Sequence, residues 1–471
     1  MGSPNWQRCV LTVLALVFWA SGNAFAARLE MAAVTVQDTF TTPNATRVSF
    51  IETFDVVPIV VSLATTQGGD PALLRITNVT RFGFDIVQTE PNANDGPHVA
   101  MDTAYLAVEP GVHTLPGGAQ LIAMSRDTIS TVSGINGQSW DNTSFPVAFG
   151  SRPALVTALQ TARNESATPP SSSSIPLLGV AVRNLTATGF DFALERAEST
   201  AGVVSAAETI GMIAVADTTT TTLIDTSGNS ALFQARVTPN NIEGFSNGCF
   251  NNTYNASFST VPLTVASMVT RNGGNGGWLR RCALAAGSIG LTVDEDIDND
   301  PERNHINETA AVIAASRAFH INLGVGLSIA KTIEVDRDPV SGDTNPFAIP
   351  GAVVRYSIDV RNAGSGSPDG NSLTVVDSIP SQLSLCVAMQ CFSGGPVTFD
   401  DSASPIPTGL TIAGIEYSDD DGASFGYVPT GDANGFDAAV TDVRITLAGT
   451  LPGIGIAGEP TFSLALAARV N

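Results

Sequence analysis

Lysine, and charge of either sign, are scarce in this chain. The only lysine among the 471 residues is Lys331, and charged residues make up 14% of the sequence, well below the usual share in globular proteins. Acidic residues outnumber Lys and Arg by 44 to 22. A surface with this excess of negative charge repels phosphate groups, so we expect neither nucleic acid nor anionic lipid among the partners.

Catalytic motifs are lacking as well. The sequence contains no Gly-x-Ser-x-Gly elbow, P-loop, His-Glu-x-x-His pair or dinucleotide-binding glycine run in a suitable context. Its four histidines are scattered and form no evident nucleophile–base set. We therefore predict a protein that is not an enzyme and needs no organic cofactor. A pair of glycosidase carboxylates stays open as an alternative, because acids are plentiful and a sequence does not show their geometry.

The first 26 residues have the composition of a secretory signal peptide. Arg8 precedes an apolar segment, Val10 to Trp19, that is too short to cross a bilayer, and Ala24-Phe25-Ala26 fits an Ala-x-Ala cleavage site. We predict that residues 1–26 are removed and that the protein is exported, to be secreted, periplasmic or held at the cell surface. A buried N-terminal helix is the alternative. No later apolar run reaches roughly 18 residues, so we expect no transmembrane segment in the mature chain.

Cysteine is also rare, with five in the chain, and Cys9 lies in the predicted signal peptide. The remaining four form two local pairs, Cys249 with Cys282 and Cys386 with Cys391. An even number of cysteines in an oxidising compartment favours disulfides, so we predict both bridges. A four-cysteine zinc site is the rival interpretation, but there is no Cys-x-x-Cys pair and the two pairs are far apart in sequence.

Short runs rich in Val, Ile, Thr and Phe, separated by Gly, Pro, Asn and Asp, predict an all-β fold. One arrangement of these runs occurs three times, most loosely in the third copy. Each copy has a Phe-x-x-x-Pro step into an apolar strand and ends in an apolar tetrapeptide, and the first two share an Asn-x-Thr-x-x-Gly-Phe turn. We predict one β-sandwich for each copy, at residues 28–110, 115–217 and 228–320.

The repeated unit resembles the H-type lectin domain. The residues that carry the resemblance are Phe50, Phe54, Pro58, Asn78, Gly83 and Phe84 in the first copy, Phe149, Pro153, Asn184, Gly189 and Phe190 in the second, and Phe258, Pro262 and Gly290 in the third. The resemblance implies six-stranded sandwiches that form trimers and bind N-acetylgalactosamine-type sugars near subunit interfaces. On this basis we expect tandem lectin-like domains that bind glycans or surface proteins, with a homo-oligomer as a candidate assembly.

Residues 325–471 follow a different pattern, in which Val353 to Asn362 is a clearly alternating strand. This segment resembles the conserved repeat domain of bacterial surface proteins, an immunoglobulin-like module. The stretches that carry the resemblance include Ala348-Ile349-Pro350-Gly351, Arg361-Asn362-Ala363-Gly364 and Val375-Val376-Asp377-Ser378-Ile379-Pro380. The resemblance implies a fourth β-sandwich in a bacterial envelope or secreted protein. A purely structural envelope or stalk protein, with no small-molecule ligand, is therefore the alternative to a binding protein.

Three residues of the repeats are candidates for ligand contact. His98 and His305 occupy the same position of the first and third copies, where the second has Ser205. Trp278 follows the glycine-rich stretch 272–277, which suggests an exposed loop. An imidazole can donate hydrogen bonds to a sugar and an indole can stack on it. The alternatives are ordinary loop histidines and a half-buried packing residue.

An acidic run in the third copy is a candidate calcium site. It contains the alternating residues Asp294, Asp296, Asp298 and Asp300, and carboxylate oxygens are the ligands that Ca²⁺ prefers. The run lacks the central glycine and terminal glutamate of an EF-hand loop, so a solvated acidic loop is the alternative. A second acidic stretch, Asp419-Asp420-Asp421-Gly422, predicts a turn.

Overall fold

A computed structural model describes residues 27–40, 44–91, 97–133, 138–165, 176–197, 202–298, 301–389, 391–392, 395–455 and 457–471. Strands dominate these residues, and the one helix among them is the short 3₁₀ turn Phe245–Asn247. The predicted all-β fold is confirmed. Contacts divide the described chain into two compact units, Ala27–Leu323 and Gly324–Asn471. The predicted signal peptide lies outside the described residues.

The three repeats share one arrangement of six strands. In the first repeat these are β1 (Arg28–Val36), β2 (Thr46–Ser49), β3 (Ile59–Ser62), β5 (Leu73–Thr80), β6 (Gly83–Thr89) and β7 (Met101–Val108). In the second they are β9 (Gln120–Thr128), β11 (Asp141–Ser144), β12 (Ala154–Leu159), β13 (Gly179–Arg183), β14 (Gly189–Glu195) and β15 (Glu208–Val215). In the third they are β17 (Ser230–Val237), β18 (Phe250–Thr253), β19 (Leu263–Met268), β20 (Trp278–Leu284), β21 (Ser288–Asp294) and β22 (Ala310–Ala315).

Each repeat pairs its six strands in two groups. The last strand lies between the first and the third, giving β1-β7-β3, β9-β15-β12 and β17-β22-β19. The fifth lies between the second and the fourth, giving β2-β6-β5, β11-β14-β13 and β18-β21-β20. Two short strands extend these groups: β4 (Ala64–Thr65) pairs with β20, and β10 (Thr131–Val132) pairs with β14. The repetition seen in the sequence is therefore a repetition of topology.

The local chemistry of the repeated turn explains its sequence. Asn78 and Asn184 both adopt a left-handed conformation, with φ of 50° and 52°, which asparagine tolerates better than most residues. Each amide then donates a hydrogen bond to an aspartate of the next strand, at 2.7 Å to Asp85 and 2.8 Å to Asp191. The Asn-x-Thr sequences of the first two repeats therefore serve to form this turn.

Close backbone contact explains the glycine of the same turn. A Cβ on Gly83 would lie 2.0 Å from the carbonyl oxygen of Val48, so only glycine fits there. In the third repeat Ser288 takes the equivalent position, because it pairs with Thr253 as Gly83 pairs with Ser49. Gly290, which the sequence pattern matched to this position, lies two residues further along the strand.

The strand that leaves each repeat pairs with the first strand of the next. β8 (Gly111–Thr114) pairs with β9, and β16 (Thr219–Ile224) pairs with β17. β23 (Phe319–Asn322) leaves the third repeat and returns to β1 of the first. Next to this pair, the Leu323 amide donates to the Ala27 carbonyl oxygen at 2.7 Å. The three repeats therefore form a closed ring with a cyclic order of pairing.

One hydrophobic core is shared by all three repeats. Leu106, Ile213 and Ile313 occupy equivalent positions in the three closing strands, are fully buried and belong to the same cluster. The repeats are tandem β-sandwiches, as predicted, and they are also packed together, because each buries part of its apolar surface against the other two. Smaller clusters fill the outer parts of individual repeats.

The second unit is built from two facing sheets. Its strands are β24 (Leu327–Arg337), β25 (Val353–Asn362), β26 (Thr374–Ser378), β27 (Leu383–Cys386), β28 (Val397–Asp400), β29 (Thr411–Ser418), β30 (Phe436–Asp437), β31 (Asp442–Ala448) and β32 (Thr461–Val470). One sheet has the order β24-β25-β32-β27-β30, with β28 also on β32, and the other has the order β26-β31-β29. Both contribute to one core, which includes the buried residues Tyr356, Ile445 and Phe462.

Both predicted cysteine pairs are disulfide-bonded. Cys249 and Cys282 have Cα atoms 5.9 Å apart, and Cys386 and Cys391 have Cα atoms 6.0 Å apart. Cys282 is the unpaired residue of a β-bulge between Arg281 and Ala283, a position that can re-aim a side chain. The first bridge links the residue just before β18 to β20, the fourth strand of the third repeat.

Candidate functional site

Trp278 lies at the meeting point of the three repeats. It is the first residue of β20 and only 7% exposed, and its neighbours in a small apolar cluster are Leu73 of the first repeat and Leu177 and Ala197 of the second. The indole Nε1 donates to the carbonyl oxygen of Ala72 at 3.0 Å. The expectation of an exposed ring is therefore corrected, because the tryptophan packs between repeats.

The two equivalent histidines are buried in their own repeats. His98 is 2% exposed and His305 is 7% exposed. Both rings lie against the loop that joins the third and fourth strands, where a Cβ on Gly68 would lie 3.0 Å from the His98 ring and one on Gly273 2.1 Å from the His305 ring. The shared position thus has a shared packing role, and neither ring is presented to solvent.

His305 is held between two buried carboxylates. Its Nδ1 donates to Glu295 at 2.5 Å and its Nε2 to Glu308 at 3.1 Å. Burial lowers the His305 pKa, but the hydrogen bonds and charges of the two glutamates outweigh it and raise the pKa to about 9. At His98, burial is the largest effect and lowers the pKa below the ordinary value. Two residues at one position of the repeat therefore favour opposite protonation states.

Glu308 also fixes the glycine-rich loop of the third repeat. Its carboxylate accepts hydrogen bonds from the Asn272 amide at 2.5 Å and the Gly273 amide at 2.9 Å. In the second repeat Glu208 holds the corresponding loop, accepting from the Asn164 amide at 2.8 Å. The sequence contained this signal, a glutamate four residues before the closing tetrapeptide of copies two and three, and our sequence reasoning missed it.

The acidic run is only partly described, and its first residue is paired with arginines. Asp294 is fully buried and accepts from Arg280 at 2.5 Å and from Arg303 at 2.6 Å. Asp296 is buried and Asp298 half-buried, while Asp300 lies outside the described residues. Within the described part of the chain, no three His, Cys, Asp or Glu residues are grouped so as to hold a metal ion.

The junctions between the second repeat and its two neighbours each contain a buried ion pair. Arg75 of the first repeat pairs with Glu165 of the second at 2.5 Å. Arg271 of the third pairs with Glu195 of the second at 2.5 Å. Burial raises the Glu195 pKa to about 7, against the opposing effect of Arg271. Removing one member of a buried pair leaves an uncompensated charge, so each pair ties the second repeat to one of its neighbours.

The third junction, between the third and first repeats, is closed at two places. Arg280 donates to the carbonyl oxygens of Thr65 at 2.9 Å and Asp70 at 2.6 Å. On the paired strands β1 and β23, His320 donates through Nδ1 to Glu30 at 2.8 Å. Arg280, His320 and Glu30 thus hold the third and first repeats together.

A groove lies on the second unit, on the outer face of the sheet β26-β31-β29. Its volume is about 820 Å³, within the range of small-molecule sites. The residues that line it on the sheet and on the following loop include Thr374, Glu416, Ser424, Phe425, Arg444 and Thr446. None of these was singled out from the sequence, because the groove requires three strands that are distant in the chain.

No family model, curated protein or solved structure matches this chain. No helix in the described residues is long and apolar enough to span a membrane.

A second, shallower surface lies on the repeat unit. It surrounds the Asn-x-Thr turn of the second repeat, has a volume of about 310 Å³, and is lined mainly by hydroxyl and amide side chains, including Asn142, Ser144, Asn184, Thr186 and Thr188. In the first repeat, Phe82 takes the position of Thr188 and is 63% exposed. The first and second repeats therefore differ in chemistry at this outer turn.

Proposed function

We propose that the chain is a non-catalytic structural protein of the cell exterior, in which the repeat unit is a rigid scaffold. The observation that carries the proposal is the closure of the ring by β23 on β1. The residues expected to contact a ligand, Trp278, His98 and His305, are buried within the same unit. Loops that are filled by the protein's own side chains favour a structural role over a binding role.

Closure supports rigidity for a physical reason. In an open array the terminal repeats contact one neighbour each, and unfolding can start from an end. In a closed ring every repeat contacts two neighbours, so removing any repeat exposes two apolar surfaces and breaks two junctions. We expect the unit Ala27–Leu323 to unfold cooperatively.

The two disulfides support a place outside the cytoplasm. Bridges such as Cys249–Cys282 and Cys386–Cys391 form and persist in oxidising compartments and are rare where thiols are kept reduced. Together with the signal-peptide composition of residues 1–26, they favour export. Mass spectrometry of the intact secreted chain, without reduction, tests both the predicted cleavage and the bridges.

Pulling the full chain in a single-molecule force experiment tests the scaffold. We expect the repeat unit to unfold in one step. The length gained in that step should exclude the loop that the Cys249–Cys282 bridge closes, because the disulfide keeps that loop from extending. Three successive steps of about one repeat each would contradict it, because they would mean that the repeats are mechanically independent.

Glycan binding by the repeats is a second candidate function, favoured by the polar surface around Asn184 and Thr188. Short hydroxyl and amide groups suit hydrogen bonding to sugars. Thr188→Phe tests it, because the first repeat already carries an exposed phenylalanine at this position and the turn should tolerate the ring. Loss of glycan binding in this variant, with unchanged melting temperature, would support the second candidate. Unchanged binding would show that this surface is not the glycan site.

A further inference from the structure

The floor of the groove on the second unit follows from the alternation of a strand. On β31, the residues Val443, Ile445 and Leu447 are fully buried in the core. Because successive side chains point to opposite faces, the residues between them face away from the core. They are Arg444 and Thr446, which line the groove together with Asp442, the residue before Val443.

The neighbouring strands β26 and β29 extend this floor on either side of β31 with small residues. Thr374 and Gly414 are the cross-strand partners of Thr446, and directly opposed residues lie on the same face. A Cβ on Gly414 would meet nothing within 4 Å. The groove therefore has open space beside Thr446.

A preorganised loop forms one wall. Asp421 and Gly422 take left-handed conformations, with φ of 56° and 79°. Asp420 accepts hydrogen bonds from the Ser418 hydroxyl at 2.6 Å and the Ser424 amide at 2.9 Å. These bonds lower the Asp420 pKa to about 2, so the carboxylate that holds the loop stays ionised. A wall that is already ordered costs little conformational entropy on binding.

An aromatic ring is fixed at the end of that loop. Phe425 is half-buried, and the Arg444 guanidinium lies 4.3 Å from its ring centroid. Glu416 accepts from Arg444 at 2.8 Å, which holds the guanidinium in place. The ring, the guanidinium and the carboxylate together form one connected part of the groove lining.

The charge of the groove decides the class of ligand. Arg444 is neutralised by Glu416, and the lining also contains Asp421 and Asp442. The resulting excess of negative charge disfavours phosphates, sulfates and acidic sugars. Within the described residues no group of acids is arranged for a metal ion. The carboxylates, threonines and serines of the lining can form hydrogen bonds with the hydroxyl groups of a ligand. The apolar face of a sugar ring can pack against the Phe425 ring.

We propose that this groove binds a neutral saccharide. The inference is independent of the structural role proposed for the repeat unit, because it concerns other residues in the other compact unit. It would make the second unit the part of the chain that recognises a ligand.

The test applies the full chain to an array of immobilised neutral and acidic glycans, followed by calorimetry with the neutral glycan that binds best. We expect binding to neutral glycans. Thr446→Trp, which fills the floor, and Phe425→Ala, which removes the ring, should each weaken the binding at least tenfold. The matched control is Phe347→Ala, which removes a phenylalanine that is 65% exposed and does not line the groove, and it should bind as the wild type does.

Melting temperatures of the variants separate loss of the groove from loss of the fold, and Phe425→Ala remains informative if Thr446→Trp does not fold. The proposal is overturned if the chain binds no glycan or only acidic glycans, or if binding survives in both groove variants. Binding that is lost in Thr188→Phe and retained in Thr446→Trp would overturn it too, and would place the site on the second repeat.

Discussion

The two compact units use arginine in opposite ways. In Ala27–Leu323, Arg280 is fully buried and spans two repeats, whereas in Gly324–Asn471 the Arg444 side chain is 36% exposed and lines a groove. A charged side chain that is buried loses its hydration, so it needs a counter-ion and hydrogen bonds in a well-defined geometry. An exposed pair has no such cost and can exchange hydrogen bonds with a ligand. Arg280 is therefore used for assembly in the first unit, and Arg444 remains available for recognition in the second.

Removing one buried charge should produce the largest contrast between the units. Asp294→Asn leaves Arg280 and Arg303 without their counter-ion, and breaking a buried pair in this way typically costs about 3–5 kcal/mol. The matched variant, Glu416→Gln, breaks an exposed pair with Arg444, which is worth about 1 kcal/mol or less. Urea unfolding of each variant, followed by a probe in each unit, measures both values.

Equal losses in the two variants would contradict the comparison. A large loss in the Glu416→Gln variant alone would reverse it, and would mean that the exposed pair holds the second unit together.

A smaller effect is expected when pH separates the two equivalent histidines. The His305 pKa is about 9 in the folded protein, above its ordinary value of 6.5. Stability from His305 is thus fully present below pH 6.5 and is lost as pH rises through about 9, by about 3 kcal/mol in all. The His98 pKa is lowered, so its contribution is present above pH 6.5 and is lost as pH falls.

Melting temperatures between pH 5 and pH 10 check this prediction. His305→Gln should remove most of the alkaline loss, and His98→Gln should remove part of the acidic loss. If the alkaline loss is as large in His305→Gln as in the wild type, other groups cause it and the Glu295–His305–Glu308 arrangement does not carry charge.

A further effect, about as large as the pH effect or smaller, concerns the tryptophan between repeats. Trp278→Phe keeps an aromatic ring but leaves the buried carbonyl oxygen of Ala72 without its donor, which costs about 1–3 kcal/mol. Glycan binding, if the array detects any, should be unchanged. A variant that melts like the wild type and binds less would restore Trp278 as a ligand contact and break the distinction between the two units.

Several local features were predictable because their causes lie within a few residues. Asn78 and Asn184 build the expected turns, since a left-handed residue and its aspartate partner are close in sequence. Phe50 and Phe54, four positions apart in the sequence, form an aromatic pair with ring centroids 4.7 Å apart. The cysteine pairs followed from their number and proximity.

The candidate sites were less predictable, because burial depends on distant partners. The glycines before Trp278 suggested an exposed loop, but the bond from Trp278 to Ala72 spans 206 positions. In the sequence, Asp294 belongs to a run of acids for which a solvated loop was one interpretation. In the fold it is buried and paired with Arg280 and Arg303. The groove beside Thr446 needed three strands and a loop to be visible.

The order of residues is sufficient for the strand pattern, the turns, the threefold repetition and the disulfides, since all of these depend on spacing, backbone preference or cysteine count. Ring closure, the burial of Trp278 and His305, and the contrast between Arg280 and Arg444 depend on which surfaces meet after the strands have formed. Hydrophobic burial has no direction. Which apolar face covers which, and whether a charge ends up buried or exposed, is consequently set by the packing of the whole unit.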